Sequence, residues 1–131
     1  MTENPSQDTR RRPNKRRLGT SQEEAAAEYL RREGFTILAH SYRCRAGEID
    51  LIARDRDGTL VFAEVKYRRD RAVYDPLEAV DIKKQRRISR AALWYYRDRR
   101  LSPDQPCRFD VIGIGGDGEI LHVRDAFPFR P

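Results

Sequence analysis

The chain has 131 residues, 27 of them basic and 21 acidic, for a net charge of +6, and 38% are hydrophobic. This length suits one domain of roughly 100–200 residues, and the longest apolar run, Ala91–Tyr96, falls far short of the roughly 20 residues that span a bilayer. No apolar segment follows the basic N-terminus, so neither a secreted nor a membrane protein is expected, and a cytoplasmic one is. Cys44 and Cys107 stand 63 positions apart, with no Cys-x-x-Cys and only His40 and His122 beside them, which reads as two reduced thiols rather than a disulfide or zinc framework.

The positive charge is unevenly placed. Residues 1–18 carry Arg10, Arg11, Arg12, Lys15, Arg16 and Arg17 against Glu3 and Asp8, so the remaining 113 residues hold only +2. Residues 1–17 are expected to be a disordered basic arm, able to attract phosphate or merely to keep the chain soluble, ahead of a single domain over 18–131. Leu18–Arg32 reads as a helix with Ser21 as N-cap and Glu24 completing a capping box, and Gly34 ends it. Strands follow at Thr36–Arg43, Glu48–Arg54 and Leu60–Tyr67.

Pro76 to Arg99 reads as one long helix whose apolar face is Leu77, Val80, Ile88, Ala91 and Tyr95. On a different face Lys83, Arg87, Arg90, Trp94 and Arg97 recur at steps of three and four. Such a stripe, about 20 Å long at 1.5 Å per residue, can follow a row of phosphates while Trp94 stacks on a base or sugar. An ordinary solvated helix face would look the same. Beyond Ser102–Pro106, a hairpin is expected from Arg108–Ile114 and Glu119–Arg124 around Gly115-Gly116-Asp117-Gly118. The whole reads as a mixed α/β protein of order α-β-β-β-α-β-β, with helices packed on a mixed sheet.

The second and third strands carry the chemistry. Arg56-Asp57-Gly58, with Gly58 left-handed, is a three-residue hairpin loop that pairs Asp55 with Thr59. That register sets Asp50 opposite Glu64 and Glu48 opposite Lys66, all four on one face. Ile49, Leu51, Ala53, Val61, Ala63 and Val65 form an apolar opposite face. Opposed side chains stand about 4.5–5.5 Å apart at their β-carbons. Two carboxylates at that distance repel unless a cation joins them or one keeps its proton. A hard divalent ion suits such oxygen ligands, and Lys66 can reach a metal-bound water or a phosphate.

The blocks Gly47-Glu48-Ile49-Asp50-Leu51-Ile52, Phe62-Ala63-Glu64-Val65-Lys66 and Arg108-Phe109-Asp110-Val111 resemble the signature blocks of the YraN family, small bacterial proteins similar to archaeal Holliday junction resolvases. The resemblance spans roughly Leu18 to Phe127 and implies a restriction-endonuclease-like PD-(D/E)XK core. It implies Asp50 and Glu64 as metal-binding acids, Lys66 as the catalytic lysine, and Glu23 on the first helix as a further metal ligand. A magnesium- or manganese-dependent nuclease acting on branched or duplex DNA is the implied activity, with a homodimer to address two strands. A non-catalytic nucleic-acid-binding module on the same fold is the alternative. Gln22, Ser41 and Tyr74 stand where the family often has glycine, asparagine and glycine.

Overall fold

Among the described residues the element order of the computed structural model is the expected α-β-β-β-α-β-β: α1 (Asn14–Arg32), β1 (Thr36–Cys44), β2 (Gly47–Arg54), β3 (Leu60–Arg68), α2 (Ile82–Asp98), β4 (Cys107–Gly115) and β5 (Ile120–Phe127). It describes residues 14–68 and 80–131, with side chains for 21–67 and 80–131. Arg10, Arg11, Arg12, Tyr74, Pro76 and Leu77 therefore lie outside the described residues.

Both helices depart from their expected bounds. α1 begins at Asn14, so Lys15, Arg16 and Arg17 stand in its first turns and Ser21 sits inside it rather than capping it. Lysine and arginine are good helix formers, and a helix already nucleated over the alanine-rich 25–27 stretch extends back through them. α2 starts later than expected within the described residues. Asp81 is extended, and its side chain accepts the Lys84 backbone N–H at 2.8 Å, an N-cap bond that leaves Val80 outside the helix.

Among the described residues the strands form one five-stranded sheet in chain order, antiparallel except for the parallel β3–β4 pair that α2 bridges. A crossover helix is what a parallel connection requires. In the β2–β3 loop the Asp55 N–H donates to the Thr59 carbonyl at 2.9 Å. Gly58 takes φ 92°, a left-handed conformation that costs glycine little. The expected register follows, with Leu51 opposite Ala63, Ile52 opposite Phe62 and Ala53 opposite Val61.

Each sheet face carries a helix. α1 lays Ala26, Ala27 and Leu30 over Leu51, Ala53, Val61, Ala63, Ile112 and Ile114. α2 lays Ile88, Ala91, Ala92 and Tyr95 over Ile49, Ile52, Leu60, Phe62, Phe109 and Val111. Phe62 meets Tyr95 edge-on at 5.9 Å and stacks on Phe109 at 5.6 Å. Burial of aromatic and branched side chains of this kind contributes roughly 1.5–3 kcal/mol each.

One apolar residue is misplaced by simple alternation. Ile49 belongs with the α2 side while Leu51 belongs with α1, so the faces exchange across Asp50. The β1–β2 ladder skips the same point. It pairs His40 with Leu51 and Tyr42 with Ile49, passing over Ser41 and Asp50, and Ser41 takes φ 48°. A left-handed residue turns the strand locally and resets which side faces the core. β2–β3 pairing also stops short. Among the described residues no backbone pair forms beyond Leu51–Ala63, so the expected pairings of Asp50 with Glu64 and of Glu48 with Lys66 are replaced. The Val65 N–H donates instead to the Asp50 Oδ2 at 2.8 Å. The regular sheet opens where the acids gather.

Candidate metal centre and nucleic-acid interface

Two elements bring three acids together at this opening. Glu23 arrives from α1, Glu48 and Asp50 from β2, and one carboxylate oxygen from each lies within 4.8 Å of the others. Glu64 comes from β3 and is 4% exposed. Lys84, from the first turn of α2, places its Nζ 2.7 Å from the Glu64 Oε2, and the Lys66 Nζ lies 3.5 Å from the same oxygen. Of the acids named from sequence, Glu23 and Asp50 converge directly, with Glu48 as third member. Glu64 stands beside them, turned onto the two lysines.

Ser41 explains part of this convergence. Its hydroxyl donates to the Glu23 Oε1 at 2.8 Å, tying α1 to the kink in β1.

The electrostatics of the cluster favour an added positive charge. Burial, then the neighbouring Glu64, pushes the Asp50 carboxyl from 3.8 up to about 8, against the Val65 hydrogen bond that pulls it down. Glu23 is also raised, chiefly by burial and further by Glu48, while its bond from Ser41 opposes the rise. Burial pulls the Lys84 ammonium down, but its bond to Glu64 and the charges of Glu64 and Asp50 outweigh this and leave it raised. Four carboxyl groups face two ammonium groups at this end of the sheet. The Arg43 Nε also stands 3.7 Å from Glu48, but both side chains are solvent-exposed and water screens the pair. With all four ionised the cluster is short of two positive charges, which one divalent cation supplies as it displaces the proton that Asp50 otherwise keeps. An all-oxygen donor set of this kind fits a hard ion such as magnesium or manganese.

The stripe on α2 runs up to this site. Lys83, Arg87, Arg90 and Arg97 are exposed and Trp94 is half-buried, with the Arg97 guanidinium 5.3 Å from the Trp94 ring centre. The Arg87 β-carbon lies 3.8 Å from where a β-carbon on Gly47 would stand, so the cations begin beside Glu48.

Sequence reasoning missed two members of the site. The hairpin register sets Glu48 on the face of Asp50 but says nothing of Glu23, which comes from α1 and meets it only in the folded chain. Lys84 was overlooked altogether. Its signal was present: at spacings of four, seven and eleven it precedes Ile88, Ala91 and Tyr95, all buried, so it is a lysine on the apolar face of its own helix.

Fold and site together define a mixed α/β protein with a cluster of acids able to hold a metal ion, flanked by lysines. The chain matches the uncharacterised protein family UPF0102 over residues 22–114, and it belongs to that family, as the YraN-like blocks indicated. A UPF0102 protein of Lachnoclostridium phytofermentans is 47% identical over 114 residues, covering 87% of this chain and 95% of its own. One from Symbiobacterium thermophilum is 50% identical over 107 residues, covering 80% and 89%. One from Pelobacter propionicus is 44% identical over 121 residues, covering 88% and 86%. Their shared name states a family and no activity. Among solved structures, SfsA of Pyrococcus furiosus in complex with Ca2+ is similar at 15% identity and a TM-score of 0.36, over 82% of this chain and 63% of that one. So distant a likeness adds nothing to the functional argument.

Proposed function

We propose that this protein is a divalent-metal-dependent nuclease that hydrolyses phosphodiester bonds of structured DNA. The observation that carries the reading is the meeting of Glu23, Glu48 and Asp50 within 4.8 Å, next to a buried Glu64 held by Lys84 and Lys66. Such a concentration of acid is costly to a fold unless a cation is to be bound.

Glu23 and Asp50 would hold magnesium or manganese, with Glu48 or Glu64 completing the protein's share of ligands. When bound, the ion would activate water and draw charge from a phosphate oxygen. Lys66 would lend its ammonium to stabilise negative charge on the phosphate. Lys83, Arg87, Arg90 and Arg97 would hold neighbouring phosphates, and Trp94 offers a ring for stacking. Cutting both strands of a duplex or junction calls for two such sites, hence a dimer.

The test is incubation of the intact protein with four-way-junction and linear duplex DNA, with and without Mg2+, beside Asp50→Ala. Metal-dependent cleavage lost in the variant is expected. Cleavage that persists unchanged in Asp50→Ala refutes the assignment. DNA binding that ignores Mg2+, with no cleavage of either substrate, favours the non-catalytic binding module.

A further inference from the structure

Resting on the metal-site reading above, we infer that Lys84 is an exchangeable counter-ion of Glu64, which yields this carboxylate to the divalent ion and then turns to a substrate phosphate. Three observations carry it. First, the convergent carboxylates are Glu23, Glu48 and Asp50, and Glu64 is not among them. Second, Glu64 is bound closely by Lys84 at 2.7 Å and more loosely by Lys66 at 3.5 Å, both on Oε2. A metal that draws Glu64 toward Asp50 must compete with these ammonium groups for it, and Lys84 holds it more tightly.

Third, Lys84 is built to move at its side chain alone. Its backbone N–H is fixed by the Asp81 cap at 2.8 Å, so α2 has no need to shift. Its side chain is partly solvent-accessible, and a lysine stem has four rotatable bonds. Neighbouring positions on α2 are Lys83 and Arg87, both exposed on the proposed phosphate stripe. An ammonium released from Glu64 therefore finds itself at the head of that stripe. The exchange leaves the acids one positive charge richer: a divalent cation enters among them, and a monovalent one leaves them for the nucleic acid. Metal and DNA binding are thereby coupled through one residue.

Two equilibrium measurements on the full chain test this, neither of them cleavage. Mn2+ titration followed by electron paramagnetic resonance should show Lys84→Met binding the ion about tenfold more tightly than the unsubstituted protein, because a competing charge is gone. Binding of a fluorescent four-way junction, with Ca2+ present or absent, should show that Ca2+ strengthens binding in the unsubstituted protein. In Lys84→Met that gain should shrink several-fold, a larger change than any in the affinity measured without Ca2+. Lys84→Gln, which keeps a hydrogen-bond donor for Glu64, serves the same purpose should the methionine variant melt early.

Unchanged or weaker Mn2+ affinity in a folded Lys84 variant overturns the inference, since Lys84 would then support Glu64 as a ligand rather than compete for it. Equal loss of DNA affinity with and without Ca2+ overturns it too, because the lysine would then be a permanent phosphate contact. If the unsubstituted protein binds no Mn2+, the nuclease reading itself fails and this inference with it. Mn2+ binding that is the same in variant and parent removes the inference alone.

Discussion

Two acids of the same sheet, half-buried Asp50 and buried Asp110, have opposite fates. Asp110, on β4, is fully buried, yet its carboxyl lies below the usual range. Burial pushes it up, but bonds from His122 and Arg108 outweigh that. Its Oδ1 accepts from the Arg108 Nε at 2.9 Å and the Asp125 N–H at 3.0 Å. Its Oδ2 is 2.8 Å from the His122 Nε2 and 3.3 Å from an Arg108 terminal nitrogen. The network continues outward, from His122 to the Tyr29 hydroxyl at 2.9 Å and from Arg108 to Asp55 at 2.9 Å. Asp50 receives one backbone N–H and otherwise faces Glu64 and Glu23, and its carboxyl is driven up to about 8. A saturated buried acid holds a fold together, and an unsaturated one among like charges marks a place where a cation is wanted.

The comparison can be broken most forcefully at Asp110. Asp110→Ala strands the Arg108 guanidinium and His122 without their acceptor, so a loss of about 3–5 kcal/mol is expected, read as a fall in melting temperature of roughly 10 °C or more. The same change should leave Mn2+ binding by the folded fraction intact. A small effect on stability would show that the network is dispensable.

Asp50→Asn should move stability the other way. With its carboxyl raised from 3.8 to about 8, Asp50 keeps its proton in the native state over a range where the unfolded chain has lost it. The native state then binds more protons, so the parent protein loses stability as pH rises through that window, and the loss levels off above it. The asparagine variant escapes this penalty. In metal-free buffer its gain over the parent should be near zero at about pH 4 and grow to the order of 1–3 kcal/mol at about pH 8 by urea denaturation. An Asp50→Asn variant less stable than the parent at the upper end of that range would mean that the Asp50 environment is not short of positive charge.

Metal uptake by the parent must expel that proton. Mn2+ affinity should therefore climb with pH, approaching roughly tenfold per unit below about pH 8 and flattening beyond it. Asp50→Asn should abolish most of this dependence along with most of the affinity. Smallest of all should be the stripe: Arg90→Gln ought to lower the salt dependence of DNA binding by about one counter-ion, a slope change of about 0.9, with stability within about 0.5 kcal/mol of the parent.

How much of this was legible in the linear sequence differs from element to element. The β2–β3 hairpin was readable because a tight loop is local: Gly58 and its loop neighbours determine which side chains face one another for several positions on either side. The cation stripe was readable because helical spacing is local as well. Legibility failed at the ends of α1 and α2, where capping competes with propensity over a few residues. It failed again at Asp50, where the sheet's two faces exchange beside a left-handed Ser41 that stands nine positions away on another strand.

By itself, then, the amino-acid order determined the run of helices and strands, the hairpin register and the family, because these follow from contacts between near neighbours and from motif spacing. Only the tertiary structure decided that Glu48 joins Glu23 and Asp50, that Lys84 takes hold of Glu64, and that Asp110 is satisfied where Asp50 is not. Those outcomes depend on which groups from distant segments meet at one end of the sheet and on how far water is kept from each, and the energy of a charge there is set by that company rather than by its place along the chain.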